Sequence, residues 1–165
     1  MRRAPPCAKI PRMSPEERLA ELGIELPEAP AAVGAYVRWA RTGNLVVTSF
    51  QLPWRDGELA HTGKLGADLQ TQDGYQAARL CALNGIAQLK DAAGQLTRIR
   101  QIVRIEGHVG CDPGFTEIPQ VLNGASELVN EVFGDRGRHT RTALGHLVMP
   151  LDAAVMIGFW AELQD

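Results

Sequence analysis

Apolar residues recur at three- and four-residue steps in two segments of the chain, which is the spacing of an amphipathic helix. The first segment begins at Thr71 or Asp73 and ends at Gly94, and the second runs from residue 116 or 118 to residue 133. The apolar positions are Tyr75, Ala78, Ala82, Ile86 and Leu89 in the first segment and Leu122, Ala125, Val129 and Val132 in the second. Each segment therefore predicts a helix that buries one face against the rest of the protein.

Five stretches have the apolar patterns of β-strands. They are residues 35–41, 44–51, 98–109, 141–149 and 153–163. The first two flank Thr42-Gly43-Asn44, which predicts a hairpin. The polar, glycine-rich residues 54–72 predict a long loop, with one short edge strand near residues 59–61.

The resulting order, β-β-(β)-α-β-α-β-β, predicts an α+β fold in which two helices pack on one face of a mixed sheet. Residues 153–163 are almost continuously apolar, which is typical of a strand covered on both faces. Since two helices cover only one face, we expect another subunit to cover the other.

Alternation assigns side chains to faces in two strands. In the strand at 98–109, one face is expected to carry Val103, Ile105 and Val109, and the other Arg104, Glu106 and His108. In the strand that follows Arg141, one face is expected to carry Thr142, Leu144, His146 and Val148, and the other Ala143, Gly145, Leu147 and Met149. Pro150 should end this strand because it cannot donate to a sheet ladder.

The N-terminal 25 residues are expected to be an extension of the main domain, which spans 26–165. Residues 1–13 contain three prolines and few groups that could pack, so no ordered structure is expected there. Ser14, Pro15 and Glu17 form a capping box that predicts a short helix, and Gly23 should end it. We expect this helix to be an appendage more than part of the core.

Composition narrows the functional class. A net charge of -2 and a pI of about 6.1 argue against a nucleic-acid partner. No apolar run is long enough to span a bilayer. The chain has an odd number of cysteines, Cys7, Cys81 and Cys111, and no CxxC pair. Residues 1–13 lack the apolar core of a secretory signal. These features predict a cytoplasmic protein with free thiols, of which Cys81 should be a core residue.

The common catalytic and cofactor motifs are absent, including the P-loop, G-x-G-x-x-G, H-E-x-x-H and G-x-S-x-G. His108 and Cys111 have H-x-x-C spacing, but no second pair of ligands accompanies them, so no metal site and no cofactor are expected. Arg141 remains as a candidate. An arginine at the start of a strand offers planar donors suited to a carboxylate or phosphate, although a surface ion pair is the commoner role.

Five segments of the chain resemble the RidA/YjgF family. They are Ala32-Val33-Gly34-Ala35-Tyr36, Gly43-Asn44-Leu45-Val46-Val47-Thr48-Ser49-Phe50-Gln51, Gln76-Ala77-Ala78-Arg79-Leu80-Cys81-Ala82-Leu83-Asn84, Val121-Leu122-Asn123-Gly124-Ala125 and Arg141-Thr142-Ala143 with the later Met149-Pro150. The resemblance covers roughly residues 26–163. It implies a chorismate-mutase-like α+β unit that forms a homotrimer, with sheets lining a central barrel and clefts between subunits.

The resemblance also implies a function and a site. Family members with the full site deaminate reactive enamines and imines. Arg141 matches the arginine that grips the substrate carboxylate, and this role makes it the expected catalytic residue. Asn123, Tyr36, Ser49 and Phe50 fall on positions that line the cleft. The implied partner is a small carboxylate-bearing metabolite.

Three positions depart from the family pattern. Phe50 stands where the family usually has glycine, and Ala143 where it has cysteine. Gly158 stands where a glutamate is thought to hold the attacking water. His146 or Glu162 could substitute for that acid.

These departures leave alternatives open. The first is a non-catalytic trimer that binds a metabolite and has lost the acid. The second is the ribonuclease or translation-inhibitor activity attached to some relatives, which fits poorly with the acidic pI.

Overall fold

The structure, a computed structural model, describes residues 13–164. Its elements are α1 (Pro15–Glu21), β1 (Trp39–Thr42), β2 (Leu45–Thr48), β3 (Trp54–Arg55), β4 (Glu58–Leu59), α2 (Thr71–Ala93), β5 (Ile99–Gly110), α3 (Ile118–Phe133), β6 (Thr140–His146) and β7 (Val155–Leu163). Five strands form one mixed sheet in the order β1-β2-β7-β5-β6, in which only β5 and β6 are parallel. The predicted α+β class is therefore confirmed, as is the order of the two long helices and the five strands of the main sheet, whereas β3 was not predicted.

Strand lengths differ from the predictions at several ends. The turn at Gly43-Asn44 joins β1 to β2 as predicted, but β1 begins at Trp39 rather than at residue 35. The short strand expected near residues 59–61 is β4, which pairs with β3 in a separate two-stranded sheet. β6 ends at His146, before Pro150, so residues 147–149 lie outside the sheet.

The two long helices pack on one face of the sheet and against each other. Gly124 on α3 lies so close to α2 that a Cβ there would stand 2.1 Å from the carbonyl oxygen of Tyr75. Gly85 on α2 gives similar room to the fully buried ring of Phe159 on β7. Since overpacking of this kind is destabilising, both glycines fix the helices at close range. No helix within residues 13–164 is long and apolar enough to cross a bilayer.

The predicted faces of β5 are wrong at one position. Val103 was expected beside Ile105, but it is exposed, and Ile102 is fully buried instead. The pairing with β7 shifts register between Ile99 and Gln101 and again between Ile102 and Arg104. Each irregularity adds a residue to one strand and reverses the alternation, which a pattern of strict period two cannot anticipate.

The face of the sheet opposite the helices is open in the single chain. Alternate residues of β7 point to the helices and are buried, from Val155 to Leu163. The open face carries several apolar side chains that are only partly buried or are exposed: Leu45, Val47, Leu144, Met156 and Trp160. The near-continuous apolar run of β7 is thus half covered within one chain, and the trimeric barrel stays a prediction.

The N-terminal helix is more closely joined to the core than expected. Ser14 and Glu17 form the predicted capping box at its start. Leu19 is 6% exposed and belongs to the core cluster, and Glu16 Oε1 accepts a hydrogen bond of 2.6 Å from the backbone N–H of Leu96. The expectation of an appendage is therefore wrong for this helix. The prediction for residues 1–12 and Cys7 lies outside the described residues, and the boundary at residue 25 stays a prediction.

Candidate functional site

Arg141 lies at the start of β6, opposite Ile105 of the parallel strand β5, on the face that meets α3. Its Nη1 donates to Asn123 Oδ1 at 2.9 Å and to Ser126 Oγ at 3.0 Å, and its Nη2 donates to the Pro119 carbonyl at 3.3 Å. All three acceptors are neutral groups of α3. Within residues 13–164 of the single chain, Arg141 forms no ion pair with an aspartate or glutamate.

The charge of Arg141 is therefore held in place without being neutralised. Burial lowers the pKa of Arg141, and an arginine nevertheless stays protonated in proteins. Three of its five N–H groups are used by α3. The Nε–H and one Nη2–H have no hydrogen-bond acceptor among residues 13–164. A half-buried cation with two spare donors is suited to binding a carboxylate.

A histidine and a serine that sequence reasoning missed lie beside this arginine. His139 Nε2 is 3.0 Å from Ser126 Oγ, and His139 Nδ1 is 2.5 Å from the Gly137 carbonyl oxygen. A carbonyl oxygen only accepts hydrogen bonds, so Nδ1 carries the proton and Nε2 accepts from the Ser126 hydroxyl. Burial lowers the pKa of His139, the hydrogen bond to Gly137 opposes that shift, and the positive charge of Arg141 adds to it. The net downward shift favours the neutral ring.

Local backbone geometry brings His139 to α3. A Cβ at Gly137 would stand 2.5 Å from the carbonyl oxygen of Val129, so only glycine lets the turn before β6 approach the helix this closely. The one signal in the sequence is that Ser126 lies three residues after Asn123, which places both side chains on the same side of α3. No such spacing links Ser126 to His139.

The other predicted site residues lie together at a second location. Tyr36 is half exposed, and its hydroxyl accepts from the backbone N–H of Val33 at 3.4 Å. Ser49 Oγ donates to the Val37 carbonyl at 2.6 Å. Together with Phe50, Tyr36 and Ser49 line a small cleft of about 20 Å³. That volume is close to the space one water molecule needs.

Phe50 covers Gly158, the position at which the resemblance implies an acid. A Cβ at Gly158 would stand 3.1 Å from the nearest carbon of the Phe50 ring. The same ring meets the His108 ring edge to face, with centroids 4.9 Å apart. The aromatic ring thus occupies space that a longer side chain at 158 would need.

The single chain does not bring the two groups of predicted residues together. Arg141 and Asn123 lie at the β6 edge of the sheet, on the side of the helices. Tyr36 and Ser49 lie near the β1 and β2 edge, whereas the Phe50 ring lies on the open face, over β7 and against His108 of β5. β2 and β6 are three strand positions apart, which is about 14 Å at the usual spacing.

Neither of the two residues expected to substitute for an acid at position 158 lies beside Arg141. Glu162 pairs with Arg100 at 3.2 Å. His146 Nε2 is 2.6 Å from His108 Nδ1, on the open face of the sheet. Among residues 13–164, no three side chains of His, Cys, Asp or Glu are grouped as metal ligands. Cys81 is fully buried as predicted, and burial raises the pKa of its thiol well above the usual value.

Comparison with known proteins agrees with the fold. A family described as "YjgF/chorismate_mutase-like, putative endoribonuclease" matches residues 16–163. Protein TCP17 of Trypanosoma cruzi is 41% identical over 148 residues, which cover 89% of this chain and 92% of that protein.

Two solved structures are similar along most of their length. A crystal structure of a "putative endoribonuclease" from Shewanella oneidensis is 45% identical, with a TM-score of 0.89, and the match covers 92% of this chain and 100% of that one. A protein of unknown function from Agrobacterium tumefaciens is 42% identical, with a TM-score of 0.84 and coverage of 91% and 92%. The chain belongs to the YjgF/chorismate-mutase-like family, which is the family its sequence resembles.

Proposed function

We propose that this protein binds a small carboxylate-bearing imine or enamine at Arg141 and hydrolyses it, releasing ammonia. The observation that carries the proposal is the state of Arg141, whose guanidinium is fixed by three neutral acceptors and meets no carboxylate within residues 13–164. An uncompensated, half-buried cation favours an anionic ligand, and a planar guanidinium binds a carboxylate through two parallel hydrogen bonds.

The chemistry requires little beyond positioning. An imine carbon is already electrophilic, so water can add to it once the substrate is held in a fixed orientation. A carboxylate bound by Arg141 fixes the neighbouring imine carbon relative to α3, and orientation of this kind supplies much of the reduction of a barrier. Addition of water and loss of ammonia convert a 2-imino acid into a 2-oxo acid.

The proposed assembly is a homotrimer in which each site is shared by two copies. Tyr36, Ser49 and Phe50 of one copy would then lie opposite Arg141 and Asn123 of the next. Two observations support this arrangement: the two groups lie far apart within one chain, and the sheet has an open face with exposed apolar side chains. Such a face favours association with another copy of the chain.

The ring of Phe50 over Gly158 supports a second candidate function, which is binding without turnover. Where relatives place an acid, this chain has a glycine and an aromatic ring in contact with it. A protein of this kind would keep the carboxylate anchor and carry or sense the metabolite. An RNA substrate fits less well, because the chain has a net charge of -2.

The test is ammonia release from a freshly generated 2-imino acid by the wild type, Arg141→Ala and Arg79→Ala. Arg79 is a suitable control because it pairs with Glu131 on the helical surface, at 3.1 Å. We expect release by the wild type and by Arg79→Ala, and a loss of at least tenfold in Arg141→Ala. Equal rates in all three proteins would refute the proposal. Thermal stabilisation by 2-oxo acids that depends on Arg141, with no release of ammonia, would establish the second candidate.

A further inference from the structure

The hydroxyl group of Ser126 lies between a cation and a base. It accepts a hydrogen bond from Arg141 Nη1 at 3.0 Å and donates one to His139 Nε2 at 3.0 Å. A hydroxyl oxygen has two lone pairs, and Arg141 uses one of them. The second can accept a hydrogen bond from a water molecule. Ser126 and His139 are both only partly buried, so water and a small substrate can reach them.

The ring of His139 is oriented for proton transfer. His139 Nδ1–H donates a hydrogen bond to the Gly137 carbonyl, which leaves the Nε2 lone pair to accept from the Ser126 hydroxyl. In general base catalysis a base accepts a proton from a nucleophile or water, and a third group orients the base. Here His139 has the place of the base and the Gly137 carbonyl that of the orienting group. The charged group that acts on His139 is Arg141, which favours the neutral ring, and Ser126 and Asn123 of α3 present uncharged groups.

We propose that Ser126 and His139 are the proton-transfer pair of this protein, and that they replace the acid that Gly158 and Phe50 exclude. This inference rests on the proposed function and adds the residues that move the proton. Arg141 holds the carboxylate, Ser126 accepts a hydrogen bond from the attacking water, and His139 receives the proton through the Ser126 hydroxyl.

The steps balance for a protonated imine. The water oxygen bonds to the imine carbon, the π electrons of the C–N bond move to nitrogen, and the water proton passes through Ser126 to His139 Nε2. His139 then returns that proton to the amine nitrogen of the tetrahedral intermediate. The C–N bond breaks, ammonia leaves with its electron pair, and the hydroxyl proton passes to His139 and on to solvent. The products are a 2-oxo acid, ammonia and one proton.

The kinetic test uses His139→Gln and Ser126→Ala, with His61→Gln as the matched control. Glutamine can still hydrogen-bond to Ser126 but cannot take up a proton. For His139→Gln we expect kcat for ammonia release to fall about 100-fold, the usual scale of general acid–base catalysis, and its pH dependence to flatten on the acidic side. Affinity for a 2-oxo acid should change less than threefold, because the anchor is intact. For Ser126→Ala we expect a smaller loss of kcat, and for His61→Gln wild-type kinetics.

The outcomes separate the two proposals. A wild type that releases ammonia while His139→Gln matches it in kcat and pH profile overturns the role of His139 and leaves the proposed function standing. A wild type that releases no ammonia overturns both. Nitrogen NMR of the full-length protein adds a readout that is independent of activity. We expect a neutral His139 protonated at Nδ1, and a ring protonated at Nε2 would overturn the inference.

Discussion

The contact between Phe50 and Gly158 predicts that these two positions are energetically coupled. A Cβ introduced at Gly158 would stand 3.1, 3.2 and 3.3 Å from three atoms of the Phe50 ring, whereas carbon atoms prefer about 3.5–4.0 Å. The ring must therefore shift by roughly half an ångström to accept even a methyl group. Because Phe50 is 37% exposed, it can swing outward, which keeps the cost at the low end of overpacking.

We expect the steric cost of Gly158→Ala to be about 1 kcal/mol and that of Gly158→Glu about 2 kcal/mol, since the longer side chain continues beneath the ring. Replacing glycine in a strand also gains about 0.5–1 kcal/mol of backbone entropy, which masks part of this cost in a single variant. A double-mutant cycle with Phe50→Ala cancels the entropy, because it is the same in both backgrounds. The expected coupling energy is about 1–2 kcal/mol.

The assay is urea unfolding of the wild type, the single variants and the double variants at one fixed protein concentration. Fixed concentration matters because association of subunits would add to the measured stability. Gly158→Gln matches Gly158→Glu in length and lacks its charge, so comparing these two variants separates steric from electrostatic effects. The destabilisation caused by each Gly158 substitution is compared in the Phe50 and Phe50→Ala backgrounds. If the two values agree within about 0.5 kcal/mol, the contact contributes no coupling energy and the reasoning is refuted.

Three further predictions concern the anchor and its support. Arg141→Lys keeps the charge but loses the paired donors, so affinity for a 2-oxo acid measured by calorimetry should fall about tenfold or more, and unchanged affinity would contradict the two-point contact. Gly137→Ala places a methyl group 2.5 Å from a carbonyl oxygen of α3 and should destabilise the fold by about 1–3 kcal/mol in urea unfolding, so an unchanged midpoint would show that the approach is not tight. Burial lowers the pKa of His61, His108 and His139, so the unfolded chain binds more protons below about pH 6.5, and stability should fall as pH drops from there toward the folded pKa values. His139→Gln should flatten that fall in denaturation curves measured at pH 7 and pH 5, and an unaltered slope would exclude its contribution.

Sequence reasoning predicted the elements well because both helices and most strands carry regular apolar periods. It failed at Val103, where two irregularities in β5 reverse the alternation. It also missed how firmly α1 is attached, since only two buried side chains, Pro15 and Leu19, and one carboxylate, Glu16, contribute to that attachment. Contacts made by so few side chains do not produce a periodic pattern in the sequence.

The candidate site was predictable only in part. Resemblance selected Arg141 and Asn123, and the structure joins them by a hydrogen bond of 2.9 Å. Ser126 and His139 were missed because they belong to different elements and meet only once the turn at Gly137 has packed against α3. The sequence analysis identified Phe50 and Gly158 as two separate departures from the family pattern. It did not predict that they are in contact, because that contact depends on the packing of β7.

The groups that hold and surround the anchor all come from residues 119–141, one continuous piece of the α3–β6 connection. The aromatic cleft comes from residues 30–54 and from α2, at the far edge of the sheet. In the proposed shared site, substitutions confined to residues 30–54 and α2 would alter the shape of the ligand that is accepted, while the affinity for a negative charge, which Arg141 would supply, would stay unchanged.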